Sequence, residues 1–440
     1  MLQKTVAAMP AAMPAMSRPV EARAYGKVFW RIVPFLMLCY VVSYLDRINV
    51  GFAKLQMAQD LGFSDTVFGL GAGIFFIGYF LFEVPSNLIL HQVGARAWIA
   101  RIMITWGIIS AAFVFVTSTP MFYVLRFLLG VAEAGFYPGI ILYLTQWYPS
   151  HRRARIIAIF MSAIPISGIL GNPLSGWIMN TFDGLSGLEG WQWMFVIEAI
   201  PALIIGVVTL FYLDNSVRSA TWLDESEKQV IERAIREDSA HKENHGPVWA
   251  AFKDPKVWLM CGIYFCFVMG QYALTFWMPT FVKSTGIDNA LTIGVLSAIP
   301  YVVALVAMNA FGWSADKRRE RRWHLVIPAL LGTVGFCFTA LWSGSTILSL
   351  VALSVAAAGV LTCAPLFWSL PTSFLGGAAA AAGIAVINSV GNLAGFVSPY
   401  MIGSIKDATG SIHLPMYVLA VVLAIGAAAV LTTRKSLVNR

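Results

Sequence analysis

Long apolar segments separated by short polar connections restrict this chain to a fold that spans a membrane. They cover residues 30–52, 66–90, 97–118, 121–146, 154–180, 191–213, 257–281, 291–313, 323–342, 347–369, 379–404 and 414–433. Each is long enough for a helix to cross about 30 Å of hydrocarbon. The apolar residues run continuously and do not alternate with a period of two, which argues against a transmembrane barrel. We therefore predict an all-α polytopic membrane protein with twelve transmembrane helices, called spans one to twelve in chain order.

The basic residues concentrate on one side of these spans. Both termini lie on the same side, and if that side is the cytoplasm, it receives 25 of the 30 lysines and arginines. The outer connections contain only Lys54, Lys283 and Lys406. This asymmetry follows the positive-inside rule, so we predict a multi-pass protein of the cell (inner) membrane with both termini cytoplasmic. The net charge of +8 results from this topology and does not indicate nucleic-acid binding.

One polar segment, residues 214–256, divides the spans into two groups of six. It contains DESEKQVIERAIRED, whose charges recur with a helical period, so we predict a short surface helix in a cytoplasmic central loop. The predicted domains are a cytoplasmic tail (1–29), two six-helix bundles (30–213 and 257–440, the second with a short cytoplasmic tail) and this loop. Weakly related connections, NLILHQVGARAW and GWSADKRRERRW, follow the second span of each half. Two related halves with a site between them are typical of secondary transporters.

Four charged residues lie well inside the predicted spans: Asp46, Arg47, Arg126 and Glu133. A charge at a helix centre costs about 2.5–3.5 kcal/mol, and such residues commonly pair and mark a substrate or proton route. Arg126 and Glu133 are two helical turns, about 10 Å, apart on one face of span four. This distance leaves each side chain available to a partner on another helix. The alternative is a buried ion pair that only locks helices together.

Other polar and aromatic residues in the spans give weaker signals. Glu83 is interpreted as a contact near the cytoplasmic gate, and Glu198 in FVIEAIPA as a structural residue. Tyr272, Phe276 and Trp277 recur at helical spacing in span seven, which suits core packing or pocket lining equally. The five cysteines lie in apolar runs without the spacing of a metal site, and the chain has no catalytic motif. We predict that the protein is not an enzyme and that it needs no metal or other cofactor.

The chain resembles the major facilitator superfamily along its whole length. The sequence GWSADKRRERRW resembles the gating motif of that superfamily, in which an acid pairs with basic groups and helix ends at the cytoplasmic side. The resemblance implies that Asp316, Lys317 and Arg322 are gating residues. The copy in the N-terminal half departs from the motif, because His91 and Gln92 stand where an Asp-Arg pair is usual.

A more specific resemblance is to the anion:cation symporter family within this superfamily, which includes bacterial permeases for D-galactonate, glucarate, tartrate, phthalate and 4-hydroxyphenylacetate. The residues that carry it are Tyr44, Asp46, Arg47 and Asn49 in span one, Tyr79 in span two, and Arg126 and Glu133 in RFLLGVAEAGFYP. The resemblance implies that Arg47 binds the substrate carboxylate and that Asp46 and Glu133 are protonation sites. Substrate at Arg47 is expected to compete with Asp46 for the cation, which favours protonation of the acid.

The C-terminal half is most similar to the tartrate and aromatic-acid permease branch of that family. This similarity implies amide contacts to the substrate from span eleven. The residues expected to bind substrate are Tyr44, Arg47, Tyr79, Arg126, Tyr272, Trp277, Asn388 and Asn392.

The predicted function is proton-coupled uptake (symport) of a small organic acid anion, such as tartrate or a related hydroxy or aromatic carboxylate. The expected partners are this anion, protons and the lipid bilayer, and we expect the monomer to be functional. One alternative is a drug/proton antiporter of the same fold, although GNPLSGW in span five matches the Gly-Pro-x-x-Gly-Gly element of such antiporters poorly. Another is a membrane sensor that binds without transporting.

Overall fold

The computed structural model describes residues 18–240, 253–371 and 377–433, and the regular structure in these ranges is helical, without strands. The α-helices are α1 (Arg18–Asp60), α2 (Asp65–Val93), α3 (Ala95–Ala111), α4 (Thr119–Glu133), α5 (Phe136–Thr145), α6 (Ser150–Met161), α7 (Ala163–Thr181), α8 (Gly190–Tyr212), α9 (Glu225–Ala240), α10 (Pro255–Lys283), α11 (Ala290–Arg318), α12 (Arg322–Leu341), α13 (Thr346–Phe367), α14 (Gly377–Asn392), α15 (Ala394–Thr409) and α16 (His413–Leu431).

Eleven helical stretches in the described part of the chain are long and apolar enough to cross a membrane. The predicted span eleven, residues 379–404, corresponds to α14 and α15, two helices of 16 residues each that are separated at Leu393. Neither helix alone is long enough for a full crossing. The pair together covers residues 377–409, so a helical segment corresponds to each of the twelve predicted spans. The prediction of an all-α polytopic fold is confirmed.

Span four is divided into α4 and α5 by a glycine in the left-handed region. Gly135 has φ +84°, and a side chain there would collide with Ser86 of α2. A residue with a Cβ rarely adopts this backbone conformation, so glycine suits the break. The break makes Glu133 the last residue of α4. Its carboxylate therefore lies at the negative end of a helix dipole, an unfavourable position for an anion that has no cation nearby.

Glycines allow α2 and α4 to pack closely within the N-terminal half. Gly130 of α4 lies against the backbone of Phe75, and Gly78 of α2 lies against the backbone of Phe127, with no room for a Cβ at either glycine. Small residues commonly permit such approaches between membrane helices. The close packing brings the α4 side chains within reach of the α2 backbone.

Among the described helices, the pairs with the most extensive contact between the halves are α2 with α15 and α7 with α11. Each pair takes one helix from each half, because α2 and α7 belong to the first half and α11 and α15 belong to the second. Glycines again lie at the contacts. Toward the predicted outer side these are Gly69 against Pro399, Gly403 against Asp65, Gly176 against Ala290, and Gly294 against Asn172.

A cluster of charged residues also joins the halves at the predicted outer side. Lys54 of α1 pairs with Asp65 of α2, and Lys406 of α15 binds the second carboxylate oxygen of Asp65 at 2.8 Å. Asp407 accepts hydrogen bonds from the backbone N–H groups of Asp65 (3.1 Å) and Thr66 (2.7 Å) at the start of α2. We call Lys54, Asp65, Lys406 and Asp407 the outer cluster. It holds the two halves together on that side.

We expect Asp407→Ala to weaken closure at the outer cluster, because it removes two hydrogen bonds between α15 and α2. A loss of about 1 kcal/mol changes the ratio of closed to open molecules roughly fivefold. Spin labels at the exposed Leu185 and Leu414, one on each half, would report the opening as a longer distance. Asp288→Ala, at an exposed acid in a neighbouring connection, is the matched control. Identical distance distributions for the wild type and Asp407→Ala would contradict the expectation.

Candidate substrate and proton site

A cavity lies between the two halves and is lined by residues from both. Its polar lining is unusual for an apolar protein, because it contains one arginine, several tyrosines and three side-chain amides. The lining residues are Tyr40, Tyr44, Arg47, Phe76, Tyr79, Tyr137, Met161, Ile164, Tyr264, Val268, Gln271, Tyr272, Asn388 and Asn392. A cavity of this composition suits a small polar anion.

Arg47 of α1 is bound by the carboxylate of Glu133 at the end of α4. The guanidinium donates from Nε (3.0 Å) and Nη2 (2.5 Å), and both bonds go to the same oxygen, Oε1. The hydroxyl of Ser43 donates to this oxygen as well, at 2.7 Å. Arg47 is 6% and Glu133 2% exposed, so the ion pair is almost completely shielded from solvent. Arg47 supplies the cation that the position of Glu133 at a helix C-terminus requires.

Three aromatic rings surround the guanidinium of Arg47. Its Cζ lies 5.0 Å from the ring centre of Tyr44, 5.3 Å from that of Phe75 and 5.7 Å from that of Tyr79. Cations are attracted to ring faces within about 6 Å, and more strongly away from water. The rings fix the position of the guanidinium without occupying its hydrogen-bond donors. The donors are therefore left to carboxylates, and in this structure Nε and Nη2 bind Glu133.

Asp46 lies next to Arg47 in the sequence but on another side of the helix. Its Oδ1 accepts hydrogen bonds from the Ser110 hydroxyl of α3 (2.8 Å) and the Asn49 amide (3.3 Å). Asp46 does not line the cavity. Consecutive residues on a helix point about 100° apart, which explains why the two neighbours reach different partners. The carboxylate that holds Arg47 in this structure is Glu133 and not Asp46, the competitor expected from the sequence.

Arg126, which was expected to bind substrate, lies outside the lining of the cavity. It is 1% exposed and donates hydrogen bonds to the carbonyl oxygens of Gly71 (3.1 Å) and Ala72 (3.2 Å) of α2. Its guanidinium centre lies 5.1 Å from the ring of Phe75, which is also in contact with Arg47. In this conformation Arg126 therefore links α4 to the backbone of α2, next to the ring of Phe75.

The C-terminal half contributes amides and a tyrosine to the cavity. Tyr272 of α10 donates to the Asn392 side-chain oxygen at 3.4 Å. Asn388 of α14 donates to Oε1 of Glu83 in α2 at 3.1 Å, which connects the two halves. The structure thus brings Tyr272, Asn388 and Asn392 to the same cavity as Arg47.

Trp277 lies away from these residues, at the outer cluster. The Nζ atom of Lys54 is 3.6 Å from the centre of a Trp277 ring. Trp277 follows Tyr272 by five residues, which rotates it by about 140° around the helix. The structure therefore places the tryptophan against the outer cluster, and only Tyr272 of the two lines the cavity.

Eight lining residues were not identified from the sequence, and four of them carry a polar group: Tyr40, Tyr137, Tyr264 and Gln271. Gln271 donates to the hydroxyl of Tyr44 at 3.2 Å and so joins α10 to α1. A glutamine within the apolar span seven is a signal that could have identified this position. A single tyrosine in an apolar run gives no such signal, because the residue packs equally well in a core.

The predicted gating residues lie at the opposite end of the molecule from the outer cluster. Asp316 accepts from Arg321 at 2.7 Å, and Arg322 donates to the carbonyl oxygen of Leu431 at the end of α16. Lys317 extends over the ring of Trp313 at 4.8 Å. Asp316 is thus paired with an arginine, and Arg322 binds the C-terminal end of a helix. In the other half, His91 and Gln92 are exposed in the last turn of α2.

No group of three or more histidine, cysteine, aspartate or glutamate side chains in the described ranges could hold a metal ion.

Comparison with known proteins gives matches along almost the whole chain. Residues 36–399 match the family model described as Major Facilitator Superfamily. A "Putative tartrate transporter" of Agrobacterium vitis is 51% identical over 423 residues, which cover 96% of this chain and 93% of that protein. The "Putative metabolite transport protein NicT" of Pseudomonas putida is 48% identical over 417 residues, covering 94% and 95%. A "Quinolone resistance transporter" of Acinetobacter baumannii is 41% identical over 401 residues, covering 91% and 92%.

Among solved structures, the chain is similar to a D-xylose-proton symporter with a TM-score of 0.74. The alignment covers 93% of this chain and 98% of that chain, at 15% sequence identity. At this identity the likeness shows the fold alone.

Proposed function

Because the chain belongs to the major facilitator superfamily, and is thus a multi-pass membrane transporter and not an enzyme, we propose that it takes up a small organic acid anion together with protons. The proposed substrates are tartrate and related hydroxy or aromatic carboxylates. The observation that carries this proposal is the buried pair of Arg47 and Glu133 at the cavity. The 51% identical relative named for tartrate supports the substrate class.

Arg47 is suited to bind a carboxylate because its planar guanidinium holds two oxygens at once and keeps its charge at all physiological pH values. Its Nε and Nη2 atoms now converge on a single oxygen of Glu133. A substrate carboxylate would accept one bond on each of its oxygens. The substrate would therefore replace Glu133, which binds Arg47 through one oxygen, by a carboxylate that binds it through two.

Proton coupling follows from competition for the same guanidinium. When Glu133 takes up a proton, its charge-assisted bonds to Arg47 weaken, and Arg47 becomes available to the substrate. Substrate on Arg47 in turn takes the donors, Nε and Nη2, that now bind Glu133. Because linkage is reciprocal, proton uptake and substrate binding then favour each other. A carrier is a symporter if its cavity switches from one side of the membrane to the other only when substrate and proton are both bound or both released.

The remaining cavity wall favours substrates that carry hydroxyl groups or rings. Tyrosine hydroxyls and the amides of Gln271, Asn388 and Asn392 both donate and accept hydrogen bonds, as a hydroxy acid requires. Phe76 and the tyrosine rings offer faces to an aromatic acid, and Phe76 already lies 4.4 Å from Tyr272 in an edge-on contact.

We also propose that the two halves, residues 30–213 and 257–440, move relative to each other around this cavity. The gating residues Asp316, Lys317 and Arg322 would stabilise the cytoplasmic side when it closes. The distribution of basic residues supports an inner-membrane orientation with both termini in the cytoplasm. Since one chain supplies both walls of the cavity, the monomer is the proposed functional unit.

The test is accumulation of labelled tartrate, and of labelled 4-hydroxyphenylacetate, by vesicles that contain the purified protein. With the outside acidic we expect accumulation above equilibrium, and we expect a protonophore to abolish it. Vesicles without a gradient, and vesicles without protein, are the controls. A thermal-shift screen of organic acids, which reports ligands that bind the native state, identifies the acids to label. Acids that stabilise the protein but never accumulate would contradict transport and favour a sensor.

The relative named for quinolone resistance supports a second candidate, a drug/proton antiporter. In the same vesicles an antiporter would use the inward flow of protons to expel a quinolone loaded inside. Faster quinolone release with the outside acidic, together with no accumulation of acids, would favour this candidate. Release that is independent of the gradient would exclude it.

A further inference from the structure

A second buried polar cluster lies behind the cavity, where α1, α3, α7 and α8 meet. Glu198 of α8 accepts a hydrogen bond on Oε1 from the Ser175 hydroxyl of α7 at 2.6 Å. Asn49 lies beside both Glu198 and Asp46, and it donates to Asp46 Oδ1 at 3.3 Å. Ser110 of α3 donates to the same Asp46 oxygen. These five residues, here called the rear cluster, lie outside the cavity lining.

The rear cluster contains more acceptor oxygens than donors. Glu198 is 1%, Asp46 3% and Asn49 0% exposed. Oε2 of Glu198, Oδ2 of Asp46 and Oδ1 of Asn49 are each buried without a hydrogen-bond partner. An unpaired donor, the Nε1–H group of Trp106, faces Asp46 and can serve only one of these three oxygens. Buried polar atoms are normally paired, and an unpaired one is costly. A proton on a carboxyl group supplies the missing donor, and the free oxygen of Asn49 is an acceptor for it.

No cation in the described part of the chain is bonded to the rear cluster, although Arg126 and the Glu133 carboxylate both lie close enough to act electrostatically on Asp46. Among the described residues, no lysine or arginine forms an ion pair or hydrogen bond with Asp46 or Glu198, unlike Glu133, which holds Arg47. Arg126 is occupied by backbone carbonyl groups of α2. The groups that face Glu198 are Ser175 from α7 and Asn49 and Asp46 from α1. Two carboxyl groups that interact without a bonded cation do not both ionise readily.

We propose that Asp46 and Glu198 share one proton beside Asn49, so that Glu198 is a further proton-holding residue of the transporter. The proton leaves an oxygen of one carboxyl group and binds an oxygen of the other, and the pair keeps a net charge of −1 without any further reactant. This inference rests on the proposed proton coupling and extends it. Glu198, interpreted from the sequence as structural, then has a part in holding the transported proton.

The test is infrared difference spectroscopy of the full-length protein in lipid during a pH titration without substrate. The C=O stretch of a protonated carboxyl group identifies each acid by its loss in Asp46→Asn or Glu198→Gln. If the groups share a proton, Glu198→Gln also shifts the midpoint of the Asp46 titration, by about one pH unit or more, because the two carboxyl groups no longer repel each other. Thr209→Val, at a fully buried hydroxyl elsewhere on α8, is the matched control and should leave both midpoints unchanged.

An Asp46 midpoint that is the same in the wild type and in Glu198→Gln would overturn the proposal, because a purely structural Glu198 would not influence Asp46. If Glu198→Gln does not fold, Ser175→Ala keeps the acid and removes its donor, and the same coupled shift is expected. The titration needs no substrate. If the two titrations are coupled in a protein that accumulates no acid, the shared proton is supported and the proposed function is refuted. If the protein accumulates an acid but the titrations are independent, the proposed function is supported and the shared proton is refuted.

Discussion

Arg47→Lys should reduce proton-driven uptake at least about tenfold while leaving the protein folded. Lysine keeps the positive charge next to Glu133, so the buried acid is not left without a cation. It does not keep the planar pair of donors, Nε and Nη2, that a carboxylate binds at two oxygens. Hydrogen bonds to charged groups contribute about 1.5–3 kcal/mol each, so the loss of even one accounts for this reduction. Uptake at matched amounts of protein in the vesicles is the measurement.

The matched control for this variant is Arg101→Lys. Arg101 in α3 also lies over an aromatic ring, with its Cζ 3.7 Å from the ring centre of Trp98, but it does not line the cavity. We expect normal uptake in this variant. Near-normal uptake in Arg47→Lys would show that the carboxylate site has been placed at the wrong residue.

The fold could be predicted from the sequence because the lipid environment leaves few alternatives. Backbone groups in hydrocarbon must be paired, so each long apolar run becomes a helix. The positions at which a helix breaks within a span are harder to predict from the sequence. Span four contains three glycines, Gly130, Gly135 and Gly139, and only one of them, Gly135, adopts a positive φ. Which glycine breaks the helix depends on its packing against α2, a tertiary contact that composition does not show.

Six of the fourteen residues that line the cavity could be predicted from the sequence, but the partners of the charged residues could not. Arg47 and Glu133 are both recognisable as charges inside spans, yet their hydrogen bonds join α1 to α4 across 86 positions of sequence. The sequence alone favoured Asp46, the neighbour of Arg47, as the competitor for the cation. The rotation of each helix decides the partner, and the rotation follows from the packing of the whole half. The same reason explains why Trp277 lies at the outer cluster.

Glu133→Gln should abolish uptake driven by a proton gradient and preserve exchange of labelled for unlabelled substrate. Glutamine resembles the protonated acid, so Arg47 is permanently available to the substrate, but no proton is taken up or released at this position. The amide oxygen still accepts from Ser43 and Arg47, whose bonds now go to Oε1 of the carboxylate. Substrate bound at Arg47 replaces the missing negative charge. We therefore expect the variant to be stabilised by substrate more than the wild type is.

The opposite outcome has a distinct signature, which makes this variant decisive. If Glu133 only neutralises Arg47, glutamine leaves a buried cation unpaired, at a cost of about 3–5 kcal/mol. The variant would then fold poorly and fail in both assays. Glu225→Gln, the same change at an exposed side chain of α9, should behave as the wild type, and Asp46→Asn in the same assays tests whether the second acid is also needed for coupling. A folded Glu133→Gln protein that still concentrates substrate under a proton gradient would refute Glu133 as the coupling residue, because a side chain that cannot change its charge would then sustain coupled transport.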